Sequence, residues 1–155
     1  MKDIRVVLHN IRSVHNVGSI FRTADAAGVS CIYLSGYTPA PVDRFGRLRK
    51  DVAKVALGAE QSVKWEEKDI RDVITSLKKE KFTIIALEQH KQAIDYKKVR
   101  VTAKTLLIVG NEVEGVSKNI LKQCDVVAEI PMKGKKESLN VSVAFGVALF
   151  RMLGI

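Results

Sequence analysis

Apolar positions along this chain fall into two alternating textures. The first is a set of short, nearly unbroken apolar runs: "DIRVVLHNI", "VSCIYLSG", "FTIIALEQ", "TLLIVGNE" and "VVAEIPM". Runs of that length, rich in Val, Ile and Leu and ending in polar turns, predict strands buried on both faces of a parallel sheet. The second texture is helical. In "NVGSIFRTADAAGV", Val17, Ile20, Phe21 and Ala24 recur at helical spacing, with Asn16 placed to cap the helix and Gly28 to close it. In "EKDIRDVITSLKKEK", Ile70, Val73, Ile74 and Leu77 share one face and charges the other. Short helices are predicted near "RKDVAKVAL" and at "KNILKQC", where Ser117 can cap, and a last helix in "SLNVSVAFGVALFRMLGI", with Ser138 as its cap. The proline-bearing stretch "YTPAPVDRFGRLRK" lacks periodicity and predicts a surface loop. Strands alternating with helices give an α/β fold with a mainly parallel sheet flanked by helices. With no internal repeat, low-complexity tract or linker, residues 1–155 are expected to form a single domain.

The last helix changes this picture. From Val141 to Phe150 only Ser142 is polar, and a helix apolar on all sides needs cover on more than one. The sheet covers one side; a symmetric partner subunit is the expected cover for the other. No tract approaches the roughly 20 apolar residues a bilayer span requires, and the N-terminus lacks the pattern of a signal peptide. Cys31 and Cys124 have no CxxC spacing and read as small core hydrophobes in a reducing compartment. A cytoplasmic protein with no membrane contact is expected. Lysines and arginines number 26 against 17 acids, a net charge of +9, which makes a polyanion such as nucleic acid the first partner to consider.

The usual signatures are missing: no GxGxxG after the first strand, no GxxxxGK[ST], no HExxH, no GxSxG. His9, His15 and His90 are scattered and form no ligand set, so no metal is expected. In "VGNEVEGVS" a phosphate cradle is argued against by Glu112 and Glu114, whose charges favour a cation or an arginine. Ligands of open α/β sheets collect beyond the carboxyl ends of the strands. Three such ends carry Glu88 and Gln89, Gly110 to Glu112, and Pro131 to Asn140. Asn10, Arg12, Asn16 and Arg22, set among small and aliphatic residues in "LHNIRSVHNVGSIFRTADAAGV", are costly to bury without partners. Something must satisfy them.

Three segments, "NIRSVHNVGSIFRTADAAGV", "LIVGNEVEGVS" and "IPMKGKKESLNVSVAFGVAL", resemble in order and spacing the three motifs of the SpoU-type, TrmH-like RNA ribose 2′-O-methyltransferases of the SPOUT superfamily. The resemblance covers most of the chain. It implies S-adenosylmethionine as methyl donor, a homodimer, and an α/β-knot fold whose C-terminal segment forms a deep trefoil knot. It further implies Arg22 as the catalytic arginine, with Asn16, Glu112, Ser138 and Asn140 completing the catalytic set. The donor pocket would be formed by Gly110, Ile130, Met132, Ser138 and Leu139, to which Leu87, at the end of an earlier strand, is added, and Asn10 and Gly18 fall inside the first motif. The substrate would be structured RNA, tRNA ahead of rRNA, methylated at a ribose 2′-hydroxyl. A SPOUT-fold base methyltransferase and a non-catalytic RNA-binding protein stand as alternatives.

A sulfonium already carries an activated methyl group, so the enzymatic task is to align a weakly nucleophilic hydroxyl and accept its proton. Arginine stays protonated in proteins. Arg22 is therefore expected to position the hydroxyl and an adjacent phosphate and to stabilise developing negative charge, the proton's final acceptor being left open. The polar residues of 8–29 would then be satisfied by an active-site network, partly across subunits. Arg12, the cluster Arg44, Arg47, Arg49 and Lys50, and the cluster Lys133, Lys135 and Lys136 are expected to grip RNA phosphates. Tyr37 and Phe45, beside the first cluster, are candidates to stack on an unpaired base.

Overall fold

A computed structural model describes residues 2–155. In chain order the elements are β1 Asp3–His9, α1 Val14–Ala26, β2 Cys31–Ser35, α2 Lys50–Ala56, α3 Ala59–Ser62, β3 Trp65–Glu67, α4 Ile70–Lys79, β4 Thr83–Leu87, β5 Ile94–Asp95, β6 Lys104–Val109, α5 Lys118–Leu121, β7 Val126–Glu129 and α6 Val141–Leu153; a single 3-10 turn spans Tyr96–Lys98. The seven strands form one sheet in the order β3-β2-β1-β6-β4-β7-β5. Every adjacent pair is parallel.

The continuous apolar runs are strands because both faces of the sheet are covered. Side chains alternate across the pleat: Val6 and Leu8 of β1, Ile85 of β4 and Leu107 and Val109 of β6 pack with α1 and α6. Val7, Ile84, Ala86, Leu106 and Ile108 pack on the other face, where α4 contributes Ile70, Val73, Ile74 and Leu77. The four α4 positions are those its periodicity predicts. The edge strands β3 and β5 are only three and two residues long, which leaves little exposed ladder for pairing with other chains. Neither is visible in the pattern, because a run that short has no period.

Two helix starts differ from the sequence expectation. Ser13, not Asn16, caps α1: its Oγ accepts the Asn16 N–H at 3.2 Å. Asn140, not Ser138, caps α6, its Oδ1 accepting the N–H groups of Ser142 at 2.9 Å and Val143 at 3.4 Å. Both pairs hold two capping residues within one turn, and the outer start wins in one case and the inner in the other. Gly28 closes α1 as expected: at φ +74° it sits where an L side chain is disfavoured, and Gly28 N–H and Val29 N–H return to the carbonyls of Asp25 and Ala24. Gly18 serves packing. A Cβ there would lie 2.8 Å from Val55 Cβ and 3.0 Å from the Val52 carbonyl, so its absence lets α1 and α2 approach closely.

Along α6, Phe145, Ala148, Leu149 and Met152 are buried, while Val143 and Val147 remain exposed. One side of this helix is thus covered and an apolar strip is left on another. Among the described residues no helix is long and apolar enough to cross a membrane.

Candidate active site

β1 and β6 are neighbours in the sheet, with Leu8 opposite Val109, so the loops leaving their carboxyl ends meet. The loop after β6 opens with Gly110 and Asn111, and Asn111 is buried. Its Nδ2 donates to the Asn10 carbonyl at 2.9 Å and to the Tyr37 hydroxyl at 2.7 Å. Its Oδ1 accepts the N–H groups of Val113 and Glu114, both at 2.8 Å. One amide thereby ties the turn after β6 to the loops after β1 and β2. Thr38 is a second stitch, its Oγ1 taking the Ile11 N–H at 3.1 Å and lying 2.8 Å from the carbonyls of Leu8 and Ser35.

Glu112 follows and points at the start of α1. Its carboxylate accepts from Arg12 N–H at 3.3 Å, Ser13 N–H at 3.4 Å and Asn16 Nδ2 at 3.3 Å. Burial pushes this carboxyl upward, but the N–H donors, its own backbone and Asn16 included, outweigh burial and hold it below the usual carboxylate value. Glu112 is therefore an anion at neutral pH, set at the electropositive end of a helix. Asn140 Nδ2 donates to Asn16 Oδ1 at 3.1 Å. Because Asn16 is spared from capping, its amide bridges Glu112 and Asn140, and the starts of α1 and α6 are joined through the turn after β6.

Beside this network, beyond the carboxyl ends of β4, β6 and β7, lies a cavity of about 330 Å³. That volume is at the small end of ligand pockets, on the order of 300–1,000 Å³. Leu87, Ile130, Met132, Leu139 and Ala144 give it apolar walls, and Glu88, Glu112 and Glu129 give it carboxylates. Gly110 and Ser138 also line it. A Cβ on Gly110 would come within 2.6 Å of Val116 Cγ2 and 2.7 Å of the Gly115 carbonyl carbon, so the turn closes against the strand end only with glycine there. Glu88 secures the same turn from β4, accepting the Val116 N–H at 2.9 Å. Apolar walls with anionic groups suit a flat heteroaromatic body carrying a positive centre.

A sequence profile of the SpoU rRNA Methylase family matches residues 3–150. The chain belongs to this family. It is 35% identical over 150 residues to the tRNA (guanosine(18)-2'-O)-methyltransferase of Aquifex aeolicus, covering 96% of this chain and 68% of that one. It is 33% identical over 146 residues to the 23S rRNA (guanosine-2'-O-)-methyltransferase RlmB of Escherichia coli K12, covering 94% and 57% respectively. An AdoMet-bound rRNA methyltransferase from Sinorhizobium meliloti superposes with a TM-score of 0.87 at 27% identity, over 97% of this chain and 55% of that one. The chain thus spans little more than half the length of several relatives.

Of the positions expected at the site, Leu87, Gly110, Glu112, Ile130, Met132, Ser138 and Leu139 line the one cavity, and Asn16 and Asn140 join Glu112 at its edge. Arg22 lies elsewhere. It is exposed on α1 and borders an open groove with His15, Ser19, Lys54, Leu57 and Phe150. Arg12 meets Glu112 through its backbone N–H, its side chain being exposed. Arg47 and Arg49 pair with Asp43 and Asp51 at 2.9 and 2.8 Å, whereas Arg44, Lys50, Lys133, Lys135 and Lys136 are exposed. Sequence reasoning put Glu88 and the stretch from Gly110 to Glu112 at strand ends but gave Glu88 and Asn111 no part in holding the turn. The signal for Asn111 was present: an Asn that opens a strand-end turn commonly takes the N–H two residues on.

Proposed function

We propose that this protein is an S-adenosylmethionine-dependent RNA methyltransferase acting on a ribose 2′-hydroxyl of structured RNA, tRNA ahead of rRNA. The observation that carries this reading is the convergence of the second and third motif segments on one strand-end cavity whose walls suit the donor, with the first segment tied to its edge through Asn16. Leu87, Gly110, Ile130, Met132 and Leu139 would hold the donor, which supplies an activated methyl group. Glu112, Asn16 and Asn140 fix the wall beside it, and Ser138 lies within the same lining. Arg22 orients the hydroxyl and a neighbouring phosphate and stabilises charge developing on the oxygen.

Arg22 reaches that position from a second copy of the chain in a homodimer. Supporting this is the exposed strip of Val143 and Val147 on α6, together with Phe150 of the same helix in the groove that Arg22 borders. A dimer covering α6 would cover the surroundings of Arg22. Within one protomer Glu112 and Asn140 satisfy the Asn16 side chain and the Tyr37 N–H meets Asn10 Oδ1, whereas the exposed Arg12 and Arg22 side chains are left for RNA, Arg22 acting across subunits. Residues 1–155 act as one methyltransferase domain in the cytoplasm, and the C-terminal segment is knotted. In support of the knot, β7 pairs beyond β6 with β4, and the chain then returns to place α6 against α1.

The test is transfer of labelled methyl from S-adenosylmethionine to total RNA, followed by digestion to nucleosides. Label on ribose supports the reading; label on a base, or no transfer, refutes it. Arg22→Ala is expected to abolish turnover while calorimetric donor binding persists, and loss of both would remove Arg22 from the catalytic role. Mixing Arg22→Ala protomers with Gly110→Val protomers is expected to restore activity that neither has alone.

A further inference from the structure

The segment between β2 and α2 is a braced turn. Val42 and Leu48 pair as an antiparallel bridge. Asp43 N–H donates to the Arg47 carbonyl at 2.8 Å, and Gly46 N–H to the Asp43 carbonyl at 2.9 Å. The Asp43 carboxylate takes Phe45 N–H at 2.8 Å, Arg47 N–H at 3.0 Å and Arg47 Nε at 2.9 Å. Gly46, at φ +76°, supplies the tight reversal. At the tip of this construction Phe45 is 65% exposed, with the Arg44 and Arg47 guanidiniums 4.8 and 5.0 Å from its ring centre.

A phenylalanine held in water by five ordered hydrogen-bonding interactions contributes nothing to either core. Its apolar ring is presented on a fixed support, flanked by two cations that it orients through its electron-rich face. Phe45 and Tyr37 are the two aromatic residues that stand exposed among the described residues, and both border one groove running from Gly36 to Arg49. Tyr37 is anchored by Asn111 at 2.7 Å, and Asn111 lines the donor cavity. The groove therefore abuts the site where the ribose would be methylated. Glu67 is the carboxylate on its wall besides Asp43.

We infer that Phe45 is the stacking platform for an unpaired nucleobase of the substrate RNA, the base replacing the Arg44 guanidinium over the ring as Arg44 turns to the adjacent phosphate, while Arg47 stays on Asp43. This rests on the RNA methyltransferase reading above. Inside a duplex both faces of a base are covered by its stacked neighbours, so the platform selects unstacked loop nucleotides near the modified ribose. Phosphate capture alone would use the guanidiniums without a ring between them. A purely apolar partner would not be met by two adjacent cations.

The probe is a stem-loop RNA with 2-aminopurine at one unpaired loop position, set against a fully paired duplex of matching length. Wild-type protein is expected to bind the stem-loop more tightly than the duplex and to change the 2-aminopurine fluorescence by stacking. Phe45→Ala should weaken stem-loop binding by about 5- to 150-fold, the range that loss of one base–aromatic stack produces. Phe45→Trp should retain it, and duplex binding should not change. In methyl transfer, Phe45→Ala should raise KM for RNA with donor affinity unaltered. Equal binding by wild type and Phe45→Ala, or loss in both alanine and tryptophan variants, overturns the assignment. If wild type shows the stacking signal but transfers no methyl, the activity reading fails and the platform stands. If it transfers methyl with Phe45→Ala indistinguishable, the platform fails and the activity stands.

Discussion

Replacing Asn111 by alanine isolates the residue on which the geometry of the candidate site most depends. The substitution deletes four hydrogen bonds, two donated to Asn10 O and Tyr37 Oη and two accepted from Val113 and Glu114 N–H. At about 0.5–1.5 kcal/mol net for each bond, the upper sum is about 2–6 kcal/mol. Water can replace part of that, since Val113, Glu114 and Tyr37 are exposed; the Asn10 carbonyl, facing a buried side chain, recovers least. A loss of about 2–3 kcal/mol remains, which in a chain of 155 residues lowers Tm by about 4–12 °C. The same change frees the turn from Asn111 to Gly115, whose backbone lines the cavity, so donor affinity should fall with stability. Asn111→Asp keeps the acceptor for Val113 and Glu114 but faces the Asn10 carbonyl with a carboxylate, and should lie close to alanine. Differential scanning calorimetry and donor titration by isothermal calorimetry measure the two effects. A Tm within 1 °C of wild type, with unaltered donor affinity, would show that the amide is a bystander.

Three further outcomes follow from the same structure. Burial holds His9 below the ordinary histidine value of 6.5 despite the opposing charge of Asp69, and Asn10 Nδ2 lies 3.4 Å from His9 Nε2 with Ser35 Oγ 3.2 Å from Nδ1. The folded protein thus favours neutral His9, and its stability is complete above pH 6.5 and is lost as pH falls from there through the lower folded pKa; urea denaturation across pH 8 to 5 should show the decline, and His9→Gln should flatten it. Replacing Lys133, Lys135 and Lys136 together by alanine should make the salt dependence of RNA affinity shallower by about 2 in log–log slope, as three exposed cations beside the cavity are removed; an unchanged slope would take this loop out of the RNA interface. If Arg22 acts across a dimer, specific activity should fall on dilution while donor affinity per protomer does not, and activity independent of concentration down to the point where sedimentation shows monomer would refute the shared site.

The fold was legible where burial leaves a period. Continuous apolar runs in β1, β4 and β6 and the four-residue face of α4 are recoverable because packing on two faces or one dictates which positions must be apolar. The edge strands Trp65–Glu67 and Ile94–Asp95 were not, since they are held by neighbouring strands rather than by their own pattern. The caps show a different limit. Ser13 and Asn16 both suit a helix start, as do Ser138 and Asn140, and the preference is decided by what else each side chain can reach: Asn16 has Glu112 and Asn140, residues 96 and 124 positions away. The cavity lining could be carried from the family motifs, because those positions lie at strand ends. The roles of Asn111 and Glu88, whose positions at strand ends were legible, were not, because their work is to hold backbone N–H groups, an effect that depends on the turn they hold being closed.

The layout of the sheet explains why such distant segments form one network. β6 lies between β1 and β4, so the turn from Asn111 to Gly115 is flanked by the loop that starts α1 and by the end of β4. Each neighbour supplies a polar residue to that turn: Asn10 and Asn16 from one side, Glu88 from the other. A negative charge at Glu112 is stable there because three N–H donors point at it, and those donors belong to the entrance of the helix that also carries Arg22 six residues on. The donors that hold the carboxylate bordering the donor cavity and the guanidinium that faces away from that cavity are thus carried by α1 and the residues that enter it. If Arg22 serves an RNA held by a second protomer, any rotation of α1 that seats it would also move Glu112's partners at the donor cavity, and donor binding and RNA engagement would then be coupled through α1.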